Sequence, residues 1–322
     1  MSNPSLRLLK AAAVLLALSS PVAADDYPSK PVRLIIPFPP GGSNDVVGRL
    51  VATHLGTKLG QQVWVDNRGG AGGVIGTEAA ANAAPDGYTL LIVSIAHAVN
   101  PALYKLNYDP IKSFTPVAIL ATGPNVLAIN PQLPVGSVQE LIALAKQKPG
   151  QLEYASAGVG SFQHLGGELF KLTAGVNILH IPYKGGGPAM FDVISGHVKI
   201  VFSSLIQTTP YLQSGQLKAL ATGGSKRTPV LPDVPTIAEA GVPGYEATNW
   251  WGILAPAGTP PATVKKLYGA VQATLKSPEV LAQFAREGAA VVEMSSAEFG
   301  KYMETEMVKW GRVVKEGNIK AQ

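Results

Sequence analysis

The chain has 322 residues, 46% hydrophobic and 15% charged, which is apolar enough for a large core and too sparsely charged for a disordered chain. It contains no cysteine, which excludes a disulfide scaffold, a thiolate-held zinc or iron–sulfur site, a cysteine nucleophile and a cysteine-linked lipid. A formal net charge of +5, with no cluster of lysine or arginine, gives nucleic acid nothing to bind.

At the N-terminus, Arg7 and Lys10 precede the apolar run Ala11–Leu18, which Ser19-Ser20-Pro21 ends before the small residues Val22-Ala23-Ala24. That order reads as a secretory signal, residues 1–24, cleaved near Ala24. The apolar run is far short of the ~20 residues needed to span a bilayer. The mature chain is therefore expected to be periplasmic and soluble, and its residual positive charge mildly favours anions.

The 35 glycines and 26 prolines follow no collagen period, so they punctuate many short elements. Val32–Phe38 reads as a buried strand, and the stripe from Val46 to Leu59 as a helix. Val63–Val65 is a strand, Val74–Ala83 a helix and Tyr88–Val93 a strand. This β-α-β-α-β series predicts a parallel sheet with helices on its faces.

A second series starts near residue 131. Ser137-Val138-Gln139-Glu140 is a capping box opening a helix over Leu141–Lys146. Strands are expected at Leu152–Ala155, Asn177–His180, Ile200–Phe202 and Leu217–Ala221. Helices are expected at Phe162–Thr173, Pro188–Ser195 and Thr209–Ser214. The last part holds a strand over Asn249–Leu254 and a helix over Pro260–Leu275, capped by Thr259. Another helix begins at Pro278. The final one, opened by Ser295-x-x-Glu298, carries Phe299, Tyr302, Met303, Trp310 and Val313 on its apolar side. Two extended segments, Thr115–Asn130 and Tyr245–Ala255, flank the second series. They are expected to be paired crossovers between two lobes, with a cleft where the strand ends meet.

Chemistry concentrates in four Gly/Ser-rich connections at corresponding strand ends. Phe38-Pro39-Pro40-Gly41-Gly42-Ser43-Asn44-Asp45 lets a backbone approach a ligand closely and ends at a helix N-terminus. Gly42 is expected in a turn with φ > 0. Asn67-Arg68-Gly69-Gly70-Ala71-Gly72-Gly73 is a second such loop, but Ile75 stands where a dinucleotide fingerprint needs its third glycine. Ser156–His164 and His180–Gly187 are the other two. Turn and capping chemistry alone would also account for each of them. The five histidines show no metal-ligand spacing, and no G-x-S-x-G elbow is present, so no metal site and no catalytic residue is assigned. His97 and His164 lie beside the expected cleft as candidate ligand contacts.

The ordered series P-F-P-P-G-G-S-N-D, N-R-G-G-A-G-G, P-D-G-Y-T-L-L, H-A-V-N-P-A-L-Y, S-A-G-V-G-S-F-Q-H, H-I-P-Y-K-G-G-G and P-G-Y-E closely resembles the Bug family. These are the periplasmic solute-binding receptors of tripartite tricarboxylate transporters. The resemblance implies an α/β, two-lobed type II periplasmic-binding-protein fold, each lobe a mostly parallel sheet flanked by helices, joined by two crossover strands. Lobe 1 is expected over residues 25–122 and 250–322, and lobe 2 over 123–249. The resemblance also implies a small organic carboxylate held mainly by backbone N–H groups, with no cofactor. Carried over by position, the first lobe supplies Pro40, Gly41, Gly42, Asn44, Asp45, Ser94 and Ala96, where relatives carry a polar residue at the last. The second supplies Ser156, Gly158, Ser161, His164, Tyr183, Lys184, Gly185, Ser203 and Ser204, where relatives often place an Asp after the strand.

The leading expectation is a monomeric receptor, not an enzyme, that delivers a carboxylate to the membrane subunits of such a transporter. The alternatives are a periplasmic enzyme acting on a similar acid, with His97 or His164 as base, and a receptor that presents its ligand to a sensor kinase.

Overall fold

The computed structural model describes residues 27–321, so the signal segment expected over 1–24 lies outside the described residues. The first series runs β1 (Val32–Ile36), α1 (Ser43–Leu59), β2 (Val63–Asn67), a 3₁₀ turn (Ala71–Gly73), α2 (Val74–Ala81), β3 (Thr89–Ser94) and α3 (Ile95–Leu103). β1 pairs in parallel with β2 on one side and β3 on the other. Successive strand residues point to opposite faces, and both faces are covered. Leu34, Ile36, Leu90 and Ile92 enter one core cluster, while Ile35, Leu91 and Val93 enter another. That double burial is why these strands read as unbroken apolar runs.

α3 is an element that the sequence reading did not find. Its Pro101 removes a backbone donor and would ordinarily stop a helix. Burial of Ile95, Ala96, Ala98 and Val99 outweighs that cost here.

The long strand β4 (Phe114–Ile129) leads into α4 (Val138–Gln147), β5 (Glu153–Ser156), α5 (Phe162–Ala174), β6 (Leu179–Pro182), α6 (Gly186–Ser195), β7 (Ile200–Ser204), α7 (Leu205–Gln213) and β8 (Lys218–Thr222). The chain returns through β9 (Thr248–Pro256), α8 (Pro261–Leu275), α9 (Pro278–Arg286), β10 (Ala290–Val291) and α10 (Ser296–Glu316). The strand order is β2-β1-β3-β9-β4-β7-β5-β6, with β8 and β10 also on β4. β5 is parallel to both β6 and β7. β4 serves both halves: its first part, to Pro124, is antiparallel to β9, and Asn125–Ile129 is antiparallel to β7. Beside it, Asn125 N–H donates to Ala247 O, and Ala247 N–H to Gly223 O, so a second segment passes between the halves. The fold is α/β and two-lobed.

Several ends differ from the sequence reading. Ser295 and Glu298 form a full capping box on α10. Ser137 accepts from Glu140 N–H, but the Glu140 carboxylate turns to Gly136 N–H instead of closing the box. Pro260, not Thr259, is the N-cap of α8, and the Thr259 hydroxyl donates to Pro256 O at 2.8 Å. α7 starts at Leu205 rather than Thr209, because Leu205 and Ile206 are buried and extend the helix backwards. Along α10, Phe299 and Met303 pack under the first half, whereas Trp310 and Val314 join the core of the second. Glu306 lies between them, its Oε2 accepting from the indoles of Trp250 at 3.1 Å and Trp310 at 3.0 Å. Among the described residues, no helix is long and apolar enough to cross a membrane.

Candidate functional site

Helix N-termini from both halves meet at one place. A gap of about 20 Å³ is walled by Gly42, Ser43 and Asn44 of α1 and by Ser94 and Ala96 at the start of α3. Facing them are Ser161, Phe162 and Gln163 at the start of α5, and Gly186 of α6, with Asn249 on β9 closing the floor. Among the described residues, none that lines this gap carries a charged side chain. α1, α3 and α6 have no side-chain cap, whereas Ser161 caps α5 by accepting from His164 N–H. Each helix N-terminus carries about half a positive elementary charge, so four together favour an anion between them.

Phe38 and Ala157 line both this gap and a larger outer cleft of about 750 Å³. The outer cleft is walled by Pro39, Pro40, Asn67 and Gly69–Gly73 on one side, and by Gly158, Val159, Tyr183 and Lys184 on the other. Tyr104 spans it, its hydroxyl donating to Val159 O at 3.1 Å.

The halves touch through glycines. A Cβ at Gly187 would lie 2.5 Å from Pro40 O, one at Gly72 2.7 Å from Val159 O, and one at Gly185 2.8 Å from Pro39 Cδ. A side chain at any of these points would force the facing segment to shift.

Hydrogen bonds shape the first loop. Asp45 Oδ2 accepts Gly41 N–H at 3.0 Å, and Oδ1 accepts from Arg49 Nε and Asn67 Nδ2, both at 2.9 Å. Asn67 Nδ2 also donates to Phe38 O. Burial would raise the Asp45 pKa, but the hydrogen bonds from Arg49, Gly41 and Asn67 hold it below the usual carboxylate range. Asp45 therefore holds the loop, and Gly41 N–H is already taken. Gly42 does not have the expected positive φ: its φ of −86° is ordinary extended backbone, and the positive φ of this turn, 85°, falls one residue earlier at Gly41.

Of the sequence-expected residues, Gly42, Asn44, Ser94, Ala96 and Ser161 wall the inner gap, and Pro40, Gly158, Tyr183 and Lys184 wall the outer cleft. The others lie behind those walls. Gly41, Asp45 and Gly185 shape the loops that meet across the cleft. Ser156 Oγ is bonded to His180 Nε2 and accepts Gly158 N–H. His164 Nδ1 accepts Gly160 N–H at 3.2 Å, and its ring stacks on His180 with centroids 4.1 Å apart. Burial, aided by Lys171, pushes the His164 pKa down to about 4. His97 Nε2 is 2.8 Å from Pro110 O, and burial pushes its pKa down to about 4 as well. Ser203 donates to Gln207 Oε1, and Ser204 faces Asn249 Nδ2 at 3.5 Å. Neither His97 nor His164 lines the inner gap.

Sequence reasoning did not select Ser43, Gln163, Gly186 or Asn249. The first three lie inside motifs already singled out, so neighbourhood was their signal. Asn249 carried none, because only the path of β9 brings it to the cleft.

Residues 47–319 match the family described as the tripartite tricarboxylate transporter family receptor. The chain belongs to this family. It is 40% identical to protein BugT of Bordetella pertussis over 98% of both chains. The solved structure of R. palustris Rpa4515 with adipate is similar at 39% identity and a TM-score of 0.89, covering 92% of this chain and 100% of that one. MatC (Rpa3494) of Rhodopseudomonas palustris with bound malate is similar at 34% identity and a TM-score of 0.85, covering 89% and 100%. The family is one of receptors, and the two solved neighbours carry adipate and malate.

Proposed function

We propose that the mature chain, cleaved near Ala24, is a periplasmic monomer that captures a small carboxylate and hands it to the membrane subunits of a tripartite tricarboxylate transporter. Lobe 1, residues 25–122 and 250–322, and lobe 2, residues 123–249, close over the ligand. The observation that carries this reading is the uncharged gap ringed by the N-termini of α1, α3, α5 and α6. Such a site stabilises an anion without a fixed side-chain countercharge, and so can release it again. Gly42, Asn44, Ser94, Ala96 and Ser161 surround the head of the ligand, and Pro40, Gly158, Tyr183 and Lys184 its remainder. Asp45, Ser156, His164, Ser203 and Ser204 act behind them by fixing the loops. The adipate and malate bound by the two neighbours support a carboxylate as the ligand class.

The test is mass spectrometry of ligand released from natively purified protein, followed by calorimetry with adipate, malate and a panel of other organic acids. Release or binding of a carboxylate, recovered unchanged after long incubation, is expected. Failure of every carboxylate to bind overturns the reading, and chemical conversion of the acid favours the enzyme alternative.

A further inference from the structure

We infer that Tyr104 sets the length of acid that the receptor accepts: its ring is the end wall of the outer cleft and separates that cleft from a second hollow on the surface. This rests on the receptor reading above and adds to it a residue that decides ligand length.

Tyr104 follows α3 directly. Its N–H donates to Asn100 O at 2.9 Å, while its own backbone is already extended, at φ −124° and ψ 148°. The chain leaves the helix there and sends a half-buried phenol to the second lobe, where the hydroxyl donates to Val159 O at 3.1 Å. Glycines make room for it on both sides. A Cβ at Gly72 would stand 3.3 Å from the Tyr104 ring and hydroxyl, and one at Gly160 would stand 3.8 Å from the ring.

The outer cleft of about 750 Å³ therefore lies between two contacts of the lobes. Pro39 meets Gly185 on one side, and Gly72 and Tyr104 meet Val159 on the other. Beyond Tyr104 is a hollow of about 610 Å³, walled by Pro101, Leu106, Asn107, Tyr108 and Asp109 among others. Among the described residues, Tyr104 is the one that lines both cavities, so removing its side chain joins them.

The inner gap, about 20 Å³, holds little more than one oxygen, so the chain of a ligand runs past Phe38 and Ala157 into the outer cleft. A short acid ends before the phenol, and a longer one meets it. Pro101, Asn107 and Asp109 are exposed, so a far carboxylate that entered the hollow would stay hydrated and screened from Asp109.

The test titrates the full mature chain calorimetrically with straight-chain diacids of rising length: succinate, adipate, suberate and sebacate. Wild type, Tyr104→Phe, Tyr104→Leu and Tyr104→Ala are compared, each checked for folding by thermal melt. Wild type is expected to show a length limit, a step in the series where affinity drops at least tenfold. Tyr104→Leu and Tyr104→Ala should raise the affinity of the first acid beyond that limit, relative to the acid before it, at least tenfold. Tyr104→Phe keeps the wall and loses only the hydrogen bond to Val159. All the acids that bind should then weaken alike, about two- to tenfold, with the limit unmoved. A merely structural role would weaken every acid and move no ratio.

A wild type without a length limit, an unmoved ratio in the folded Tyr104→Leu and Tyr104→Ala proteins, or a limit that moves as far in Tyr104→Phe overturns the proposal and leaves the receptor reading standing. So does a wild type that binds another organic acid but none of this series. A wild type that binds no carboxylate overturns both.

Discussion

His164 is a histidine whose work depends on being neutral. Its Nδ1 accepts Gly160 N–H, and its ring lies against His180, Tyr154 OH is 3.5 Å from His164 O, and Glu168 and Lys171 stand on the next turn. Burial, with His164 and Lys171 adding to it against Glu168, pushes His180 down to about 3. His97 and His164 are likewise depressed to about 4. A histidine with a lowered folded pKa binds fewer protons folded than unfolded. Its stabilisation is therefore complete above the unfolded value near 6.5 and drains away as pH falls toward the folded value. Stability should fall between about pH 6.5 and pH 4, by up to about 3 kcal/mol for each fully buried histidine, and the thermal midpoint should fall with it. In His164→Asn, whose Oδ1 can stand in for Nδ1, the fall should be shallower, and an identical pH profile would remove His164 from the account.

At the scale of elements, the first loop and α1 act as one unit because Asp45 takes Gly41 N–H, Arg49 and Asn67 together. Asp45→Ala leaves three donors without their acceptor and should cost about 2 kcal/mol or more in urea unfolding. Asp45→Asn, which keeps an acceptor oxygen, should recover part of that loss. Equal stability of wild type and Asp45→Ala would show that the loop is held by other means. Elements such as β1, β3 and α10 were legible because their apolar spacing and caps are local properties of the chain. α3 was not, since Pro101 speaks locally against a helix and only burial, of Ile95 and Val99 in the second half's core and of Ala98 in the first's, overrules it. The same division runs through the site. Gly42, Ser94 and Ser161 stand in recognisable strand-to-helix turns, whereas Asn249 reaches the gap through pairings of β9 with β3 and β4, far away in sequence. Sequence places Asp45 and His164 in the right loops but cannot say that Asp45 is bonded to Gly41, Arg49 and Asn67, or His164 Nδ1 to Gly160 N–H.

For the whole molecule, closure depends on what can approach what. Gly187 has no positive φ to strain, so alanine there changes one thing, the 2.5 Å contact its Cβ would make with Pro40 O. Gly187→Ala should melt close to wild type yet bind adipate or malate at least tenfold more weakly. Its radius of gyration in solution scattering should stay large when ligand is added, while wild type compacts. Full compaction with unchanged affinity would mean that the lobes close on other contacts.

The backbone-to-backbone meeting of Pro40–Gly42 with Gly185–Gly187 has a further consequence for how such a protein can change. On the receptor reading proposed above, the surfaces that shut are made of peptide groups, while the side chains that would meet a ligand are those lining the inner gap, Asn44, Ala96, Gln163 and Asn249 among them. Cargo preference and the mechanics of the jaws are therefore written in separate positions of the chain. A lineage can exchange the inner residues one at a time and acquire a new acid, and the same hinge will still close on it.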